Sequence, residues 1–405
     1  MHNVVIVGGG PAGLSAALTA AVAGAPVLLL DSNPRLGGQY WRTPADNFGD
    51  QHENHFDLAT GLKLINSVKA QPNIQVLSGA QIWSASHKDG VSTLRVIYQG
   101  SEKIINTGNL ILATGAYDRS LPFPGWDIPG VMTPGGVQSL IKGHGVVAGK
   151  RVVVAGSGPF LLPVAAGLVK SGADVVELLE ANKSWRWASS ILVLLENLSK
   201  IKEGFYYIEA ISKGKVRARF GQAVVGAYAG ENGELESVDI AKIDRNFKIK
   251  KVRNIKCDVA AIGWGFTADT SLAGALGCKQ VVAKDESVVV LIDSKQQTSI
   301  TGVFAAGEIT GIGGSELSMI EGEIAGKSAA KFVGCTVDIS RSDQIIRAKK
   351  QRFAAALIKA YPIKSGWRSW LDEQTVLCRC EEVDLADLKD SIVELGATDS
   401  RTAKL

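Results

Sequence analysis

One arrangement constrains the fold more than any other, and the chain carries it twice: a short β-branched run, a glycine turn, an apolar helix, and a second run ending in an acid. In the first copy, NVVIV (3–7) leads into GGGPAG, which supplies Gly8, Gly10 and Gly13 as G-x-G-x-x-G. Gly8 permits the tight turn, Gly10 lets main chain approach a pyrophosphate, and Gly13 lets helix pack on strand. Pro11 and Ala12 open an Ala- and Leu-rich helix expected over 12–23, whose first N–H groups face phosphate. PVLLLD then ends in Asp31, where a carboxylate can accept from an adenosine ribose and disfavours a 2′-phosphate.

The second copy runs from KRVVVA (150–155) through Gly156 and Gly158 to DVVELLE, which ends in Glu180. Leu161 stands where the third glycine belongs, and Pro159 and Pro163 remove N–H donors from the phosphate region. Two readings stay open for this unit. It is a nicotinamide site, or an inherited fold that holds another adenine nucleotide or nothing. The departures from the fingerprint weigh against a hydride port.

Downstream features point to FAD in the first unit. Gly37 and Gly38, ahead of Gln39, give a second close main-chain approach. NLILATGA is a strand that ends in the turn Ala113-Thr114-Gly115. Gly307-Glu308 follows another apolar strand and precedes a helix expected near 314–330. A carboxylate at 308 suits a ribityl hydroxyl, and the helix N-terminus favours negative charge on a reduced flavin.

The fold expected is α/β, with two Rossmann-like dinucleotide-binding domains, the second inserted in the first, and a short helical C-terminal segment. The FAD-binding domain takes 1–125 and 285–340, and the second domain 126–284. LPFPGWDIPGV (121–131) reads as the crossing hinge. A basic helical linker (341–370) and a partial cluster domain (371–405) follow.

With 46% hydrophobic and 21% charged residues the chain is globular rather than disordered. A net charge of +4 does not single out nucleic acid. Glycines and prolines cut the apolar N-terminus too often for a membrane span. Five scattered cysteines are no secreted disulfide framework, which makes the cytoplasm the expected location. No C-x-x-C or C-x-x-x-x-C occurs, so a dithiol relay is excluded from its usual places. Cys257, Cys278 and Cys335 read as small buried hydrophobes, His52 and His55 as a polar loop, and His144 as part of a flexible turn. No catalytic acid, base or thiol stands out. Electron transfer by a bound cofactor needs only positioning, which favours oxidation of the substrate on a partner chain.

Residues 341–370 form a basic amphipathic pattern ended by Pro362 and Gly366. TVLCRCEEV then places Cys378 and Cys380 one residue apart. A helix follows, with Asp384 as N-cap, Asp387 at the capping-box position, Leu385, Leu388, Ile392 and Leu395 on one face, and Gly396 as the stop.

GGGPAGLSAA, GGQYW, ATGAYDRSLPFPGW, GSGPFLLPVAAGL, AIGWGF, AAGEITGIGG and CRCEEV occur in that order. The series resembles the α subunits of heteromeric FAD-dependent amine and amino-acid dehydrogenases, those of opine oxidase, hydrogen cyanide synthase and the proline or D-hydroxyproline dehydrogenase complexes. More broadly it is similar to two-dinucleotide-domain flavoproteins such as thioredoxin reductase. The resemblance implies FAD contacts at Gly8, Gly10, Pro11, Ala12, Gly13, Asp31, Gly38, Gln39, Ile82, Ala113, Thr114, Gly115, Gly307 and Glu308. A second adenine nucleotide, NAD(P) or ATP, would sit at Gly156, Gly158 and Glu180. Glu308 departs from the family's usual Asp. A flavin-dependent amine-oxidase-like β subunit would oxidise the amino acid, of opine, proline/hydroxyproline or glycine type, and this chain would carry electrons onward in a hetero-oligomer.

The tail resembles the start of a [2Fe–2S] domain of the bacterioferritin-associated-ferredoxin type, with Cys378 and Cys380 as its first cysteine pair. The second pair is expected past Leu405 if the chain is shortened; otherwise the cluster is lost or bridged between chains. Two other classes remain open: a self-contained NAD(P)H-dependent flavin reductase, and a non-redox assembly subunit that holds nucleotide.

Overall fold

The computed structural model describes residues 3–43, 57–183, 193 and 196–404. His52 and His55 lie outside the described residues. The chain divides into two compact units: residues 1–117 with 266–358, and residues 118–265 with 359–405. The chain therefore crosses between units at 117/118, 265/266 and 358/359, the first two earlier than boundaries at 126 and 284.

In unit 1 the chain forms β1 (Val4–Val7), α1 (Pro11–Val22), β2 (Val27–Asp31), α2 (Leu58–Ala70) and β3 (Ile74–Ser78). An antiparallel meander follows, β4 (Gln81–Lys88), β5 (Val91–Tyr98) and β6 (Ser101–Thr107), and then β7 (Leu110–Leu112). Every residue of β1, β2 and β7 is buried, as expected of parallel strands covered on both faces.

Unit 2 repeats the pattern with β8 (Val131–Met132), α3 (Pro134–His144), β9 (Arg151–Gly156), α4 (Leu161–Lys170), β10 (Asp174–Glu180), α5 (Leu198–Lys213) and β11 (Arg217–Phe220). Its own meander, β12 (Gln222–Ala229), β13 (Leu235–Ile243) and β14 (Ile249–Lys256), precedes β15 (Val259–Gly263). The sheet is parallel, in the order β11-β10-β9-β15-β8. Residues 121–131 are not the crossing hinge. Phe123 is buried in the unit 2 core, and the Ala227 N–H donates to the Pro124 carbonyl at 2.9 Å. A Cβ on Gly125 would meet the Ala227 carbonyl at 2.3 Å, so this glycine serves packing.

Back in unit 1, β16 (Val303–Ala305) completes a parallel sheet ordered β16-β7-β1-β2-β3. It is followed by α6 (Ser315–Phe332) and α7 (Arg341–Ala360). Helix α6 lies along α1 with almost no side chain between them. A Cβ on Gly322 would stand 2.1 Å from the Ala12 carbonyl, and one on Gly326 would stand 2.5 Å from that of Ala16. The basic helix α7 is no linker. Lys327 pairs with Asp343 at 2.7 Å, Arg347 with Glu321 at 3.2 Å, and Lys350 with Glu316, and Ala354 joins Leu317, Ile320 and Ile324 in a small core.

Residues past 358 pack on unit 2. Trp370 donates Nε1–H to the Phe247 carbonyl at 2.8 Å and clusters with Phe247 and Trp264. The tail ends in the hairpin β17 (Val376–Cys378) and β18 (Val383–Asp384), then α8 (Leu385–Val393). Asp384 caps α8 in a full capping box with Asp387, as its sequence indicates.

Candidate functional site: a dinucleotide cradle and its closed copy

The sheet order reverses beside β1 in unit 1 and beside β9 in unit 2, and in such sheets ligands bind outside the C-terminal ends of the strands at that point. In unit 1 this edge collects Gly8–Gly13 after β1, Asp31 at the end of β2, Ala113–Gly115 after β7 and Gly307–Glu308 after β16. Gly8 is at φ +104°, and a Cβ there would meet the Ala113 carbonyl at 2.2 Å; one on Gly13 would meet the Gly8 carbonyl at 1.7 Å. Only glycine lets α1 sit this close to the loop. Among the described residues, no acceptor takes the N–H groups of Gly10, Ala12 and Gly13. These donors, at the positive end of a helix, are the chemistry that holds a pyrophosphate.

Around this cradle, the Gly37 N–H donates to the Gly9 carbonyl at 2.8 Å, and Gly38 lies against Gly10. Gln39 accepts from Arg42. Asp31 is buried; it accepts the Gly9 N–H and, at 2.7 Å, the Asn33 N–H. Its carboxylate therefore braces the loop as well as offering lone pairs to a ribose. Thr114 donates its hydroxyl to the Asp269 carbonyl at 2.6 Å, and the Asp269 N–H returns to the Gly115 carbonyl at 3.0 Å. Ile82 packs half-buried against the core beneath the sheet.

The turn after β16 holds two carboxylates. Glu308 accepts from Gly314 N–H at 2.7 Å and Gly313 N–H at 3.3 Å. Glu321, on α6, accepts from Gly307 N–H at 3.1 Å and the Thr310 hydroxyl at 2.8 Å, and pairs with Arg347. Burial raises the carboxyls of both Glu308 and Glu321, and Arg347 opposes that rise at Glu321. Sequence reasoning missed the Glu321–Arg347 pair. Its one signal is an acid on the apolar side of α6.

Unit 2 builds the same loop shut. A Cβ on Gly156 would meet the Gly263 carbonyl at 1.7 Å, so the first glycine keeps its role. Ser157 N–H goes to Gly263 at 2.9 Å, Gly158 N–H to the Glu180 carboxylate at 2.9 Å, and Leu162 N–H to Pro159 at 3.1 Å. Leu161 is buried in the core with Val137, Ile141 and Val164, so α4 starts two residues later than α1 does. Glu180 also accepts the Asn182 N–H at 2.8 Å, and burial pushes its carboxyl up to about 7. The Asn182 amide donates to Ser157 Oγ at 2.9 Å and to the Pro362 carbonyl at 3.3 Å. The tail main chain thus reaches the strand ends where an adenosine would lie.

The family model for pyridine nucleotide-disulphide oxidoreductases matches residues 2–328. The chain belongs to that family. It is a flavoprotein-type oxidoreductase with an α/β dinucleotide-binding fold. An opine oxidase subunit from Agrobacterium tumefaciens is 29% identical over 96% of this chain and 78% of its own. Hydrogen cyanide synthase subunit HcnB of Pseudomonas protegens is 30% identical over 100% and 87%. An L-proline dehydrogenase structure from P. horikoshii superposes with TM-score 0.70 at 19% identity, over 100% of this chain and 68% of that one. A thioredoxin reductase from T. acidophilum gives TM-score 0.58 at 21% identity, over 82% and 97%. These two superpositions speak for the fold.

In this oxidoreductase the remaining sequence candidates separate. Cys257 and Cys278 are buried, and burial pushes the Cys257 thiol up to about 12. Cys335 is half-buried against the unit 1 core, and His144 ends α3 at the surface. Cys378 differs: the N–H groups of Glu381 and Cys380, with Lys404 nearby, hold its thiol below the ordinary range. The hairpin that carries it is tied to unit 2 through Trp126, whose Nε1–H donates to the Val376 carbonyl at 2.6 Å. The Arg379 guanidinium lies 5.1 Å from the Trp126 ring centroid. Among the described residues no group of three metal-ligating side chains occurs, so Cys378 and Cys380 do not by themselves form a Cys₄ site. No described helix is long and apolar enough to cross a membrane.

Proposed function

We propose that the chain is the FAD-binding, electron-transferring subunit of a heteromeric amine or amino-acid dehydrogenase. The contrast between the two loops carries this reading. Unit 1 offers the unpaired donors of Gly10, Ala12 and Gly13 to a pyrophosphate, whereas unit 2 spends its donors on itself. A flavin cradle without a matching nicotinamide cradle needs its electrons from elsewhere. The relatives named as subunits of opine oxidase and hydrogen cyanide synthase support a partner chain as the source.

In this reading Gly8, Gly10, Pro11, Ala12 and Gly13 hold the pyrophosphate, Asp31 the ribose, and Glu308 the ribityl end. FAD, when bound, supplies two-electron acceptance. The amino acid, of opine, proline/hydroxyproline or glycine type, is oxidised to an imine on an amine-oxidase-like partner. The site at Gly156, Gly158 and Glu180 takes no hydride. Cys378 and Cys380 would ligate a [2Fe–2S] cluster only with two further thiolates.

Absorbance of the purified chain and of its complex tests the proposal. The chain is expected to be yellow. Amino acid should bleach it only once the partner is present, and NADH should leave it oxidised. Rapid bleaching by NADH with the chain alone would establish the self-contained reductase instead. A colourless chain that retains another nucleotide would establish the non-redox subunit.

A further inference from the structure

Glu321 has a matched charge, since Arg347 pairs with it, while Gly307 and Thr310 satisfy its remaining oxygen. Glu308 differs. Among the described residues no cation pairs with it; its partners are the main-chain N–H groups of Gly313 and Gly314, at the start of α6. That helix is 18 residues long, so its N-terminus carries roughly half a positive charge. Once ionised, the Glu308 carboxylate sits on that end.

The place of this helix end follows from topology. Asp31, at the end of β2, marks the adenosine side of the strand ends, and β7 and β16 lie on the opposite side of β1. The non-adenine half of a bound dinucleotide falls on that side. Ala12 faces Gly322 and Ala16 faces Gly326, so α1 and α6 run in the same direction. Ser315 precedes Gly322 by seven residues, which sets the start of α6 roughly 10 Å past the level of Ala12.

Resting on the FAD reading, we propose that Glu308 sets the reduction potential of the flavin in unit 1, as a negative charge held on the α6 N-terminus that offsets the positive helix end. A reduced flavin carrying negative charge then gains less from the helix than it would beside a neutral residue. The potential stays low, which suits a chain that must pass electrons on. The Glu321–Arg347 pair fixes the 307–310 turn from which Glu308 reaches the helix, and so acts as a positioning pair.

Glu308→Gln tests this, since it removes the charge and keeps the size and an oxygen acceptor. The protein is equilibrated with a reference dye at alkaline pH, where a carboxyl raised by burial is ionised. The E308Q flavin should show about tenfold more reduced form at the same dye ratio, the size expected of a charge at a partly buried helix end. Glu323→Gln, further along α6, should match the parent. An E308Q ratio equal to the parent's overturns the proposal. Where E308Q also loosens the ribityl end and sheds FAD, Glu308→Asp, which keeps the charge, should retain FAD at the parent's dye ratio, and an E308D ratio shifted as far as E308Q was expected to shift overturns the proposal. Colourless parent protein would sink the flavin reading itself, and this inference with it.

Discussion

A methyl group at residue 13 is the smallest change that should empty the cradle. It would stand 1.7 Å from the Gly8 carbonyl, a distance no Cβ tolerates, so α1 must move off the loop. Gly13→Ala should purify with less than about a tenth of the parent's flavin and should lose about 1–3 kcal/mol of stability, read from absorbance and urea unfolding. Thiol chemistry offers a second check at this scale. Cys378 is held below the ordinary thiol range by main-chain N–H groups, and Cys257 is pushed up to about 12. Alkylation followed by peptide mass spectrometry should label Cys378 at pH values where Cys257 stays untouched; equal labelling would contradict the geometry. The glycines were legible in the sequence because their role is steric and local. Glu321 and Arg347 were not, since two residues on different helices meet only when those helices pack.

Between elements, the tightest contact is α1 on α6, where Gly322 and Gly326 let the main chains meet. Gly322→Ala puts a Cβ 2.1 Å from the Ala12 carbonyl and should cost about 1–3 kcal/mol, seen as a lower melting temperature together with weaker FAD retention. Loss of stability with no change in FAD affinity would show that the helix pair does not set the cradle. At the tail, Trp126→Ala removes both the bond to Val376 and the ring under Arg379. Limited proteolysis should then cut the C-x-C hairpin faster while units 1 and 2 stay intact. The segment holding Trp126 is where sequence reasoning misplaced a hinge. Pro and Gly mark any chain reversal, and here they turn the chain across β12, which only the packing of Phe123 and Gly125 reveals.

Across the whole molecule, one pattern of strands is used twice with different outcomes. Its repetition was plain in the sequence, because buried parallel strands and their glycine turns leave a local mark. The departure at Leu161 was visible too. Its consequence was not: a loop whose donors close on Glu180 and on its own carbonyls. Glu180 also gives this loop a pH signature. Its carboxyl titrates near 7 in the folded chain against an ordinary 4.5, so the folded state binds the extra proton between those values. Stability should therefore fall as pH rises from 4.5 to 7 and level off above. Glu180→Gln should flatten that slope in urea midpoints taken at pH 5 and pH 8, and an unchanged slope would contradict burial of the acid.

The visible spectrum of the purified chain, followed while amino acid, NADH and the partner chain are added in turn, bears most directly on how the two units divide their work. Flavin bands should persist through amino acid and NADH and bleach on addition of the partner. A chain with no flavin bands, or one bleached by NADH alone, would contradict that division of work.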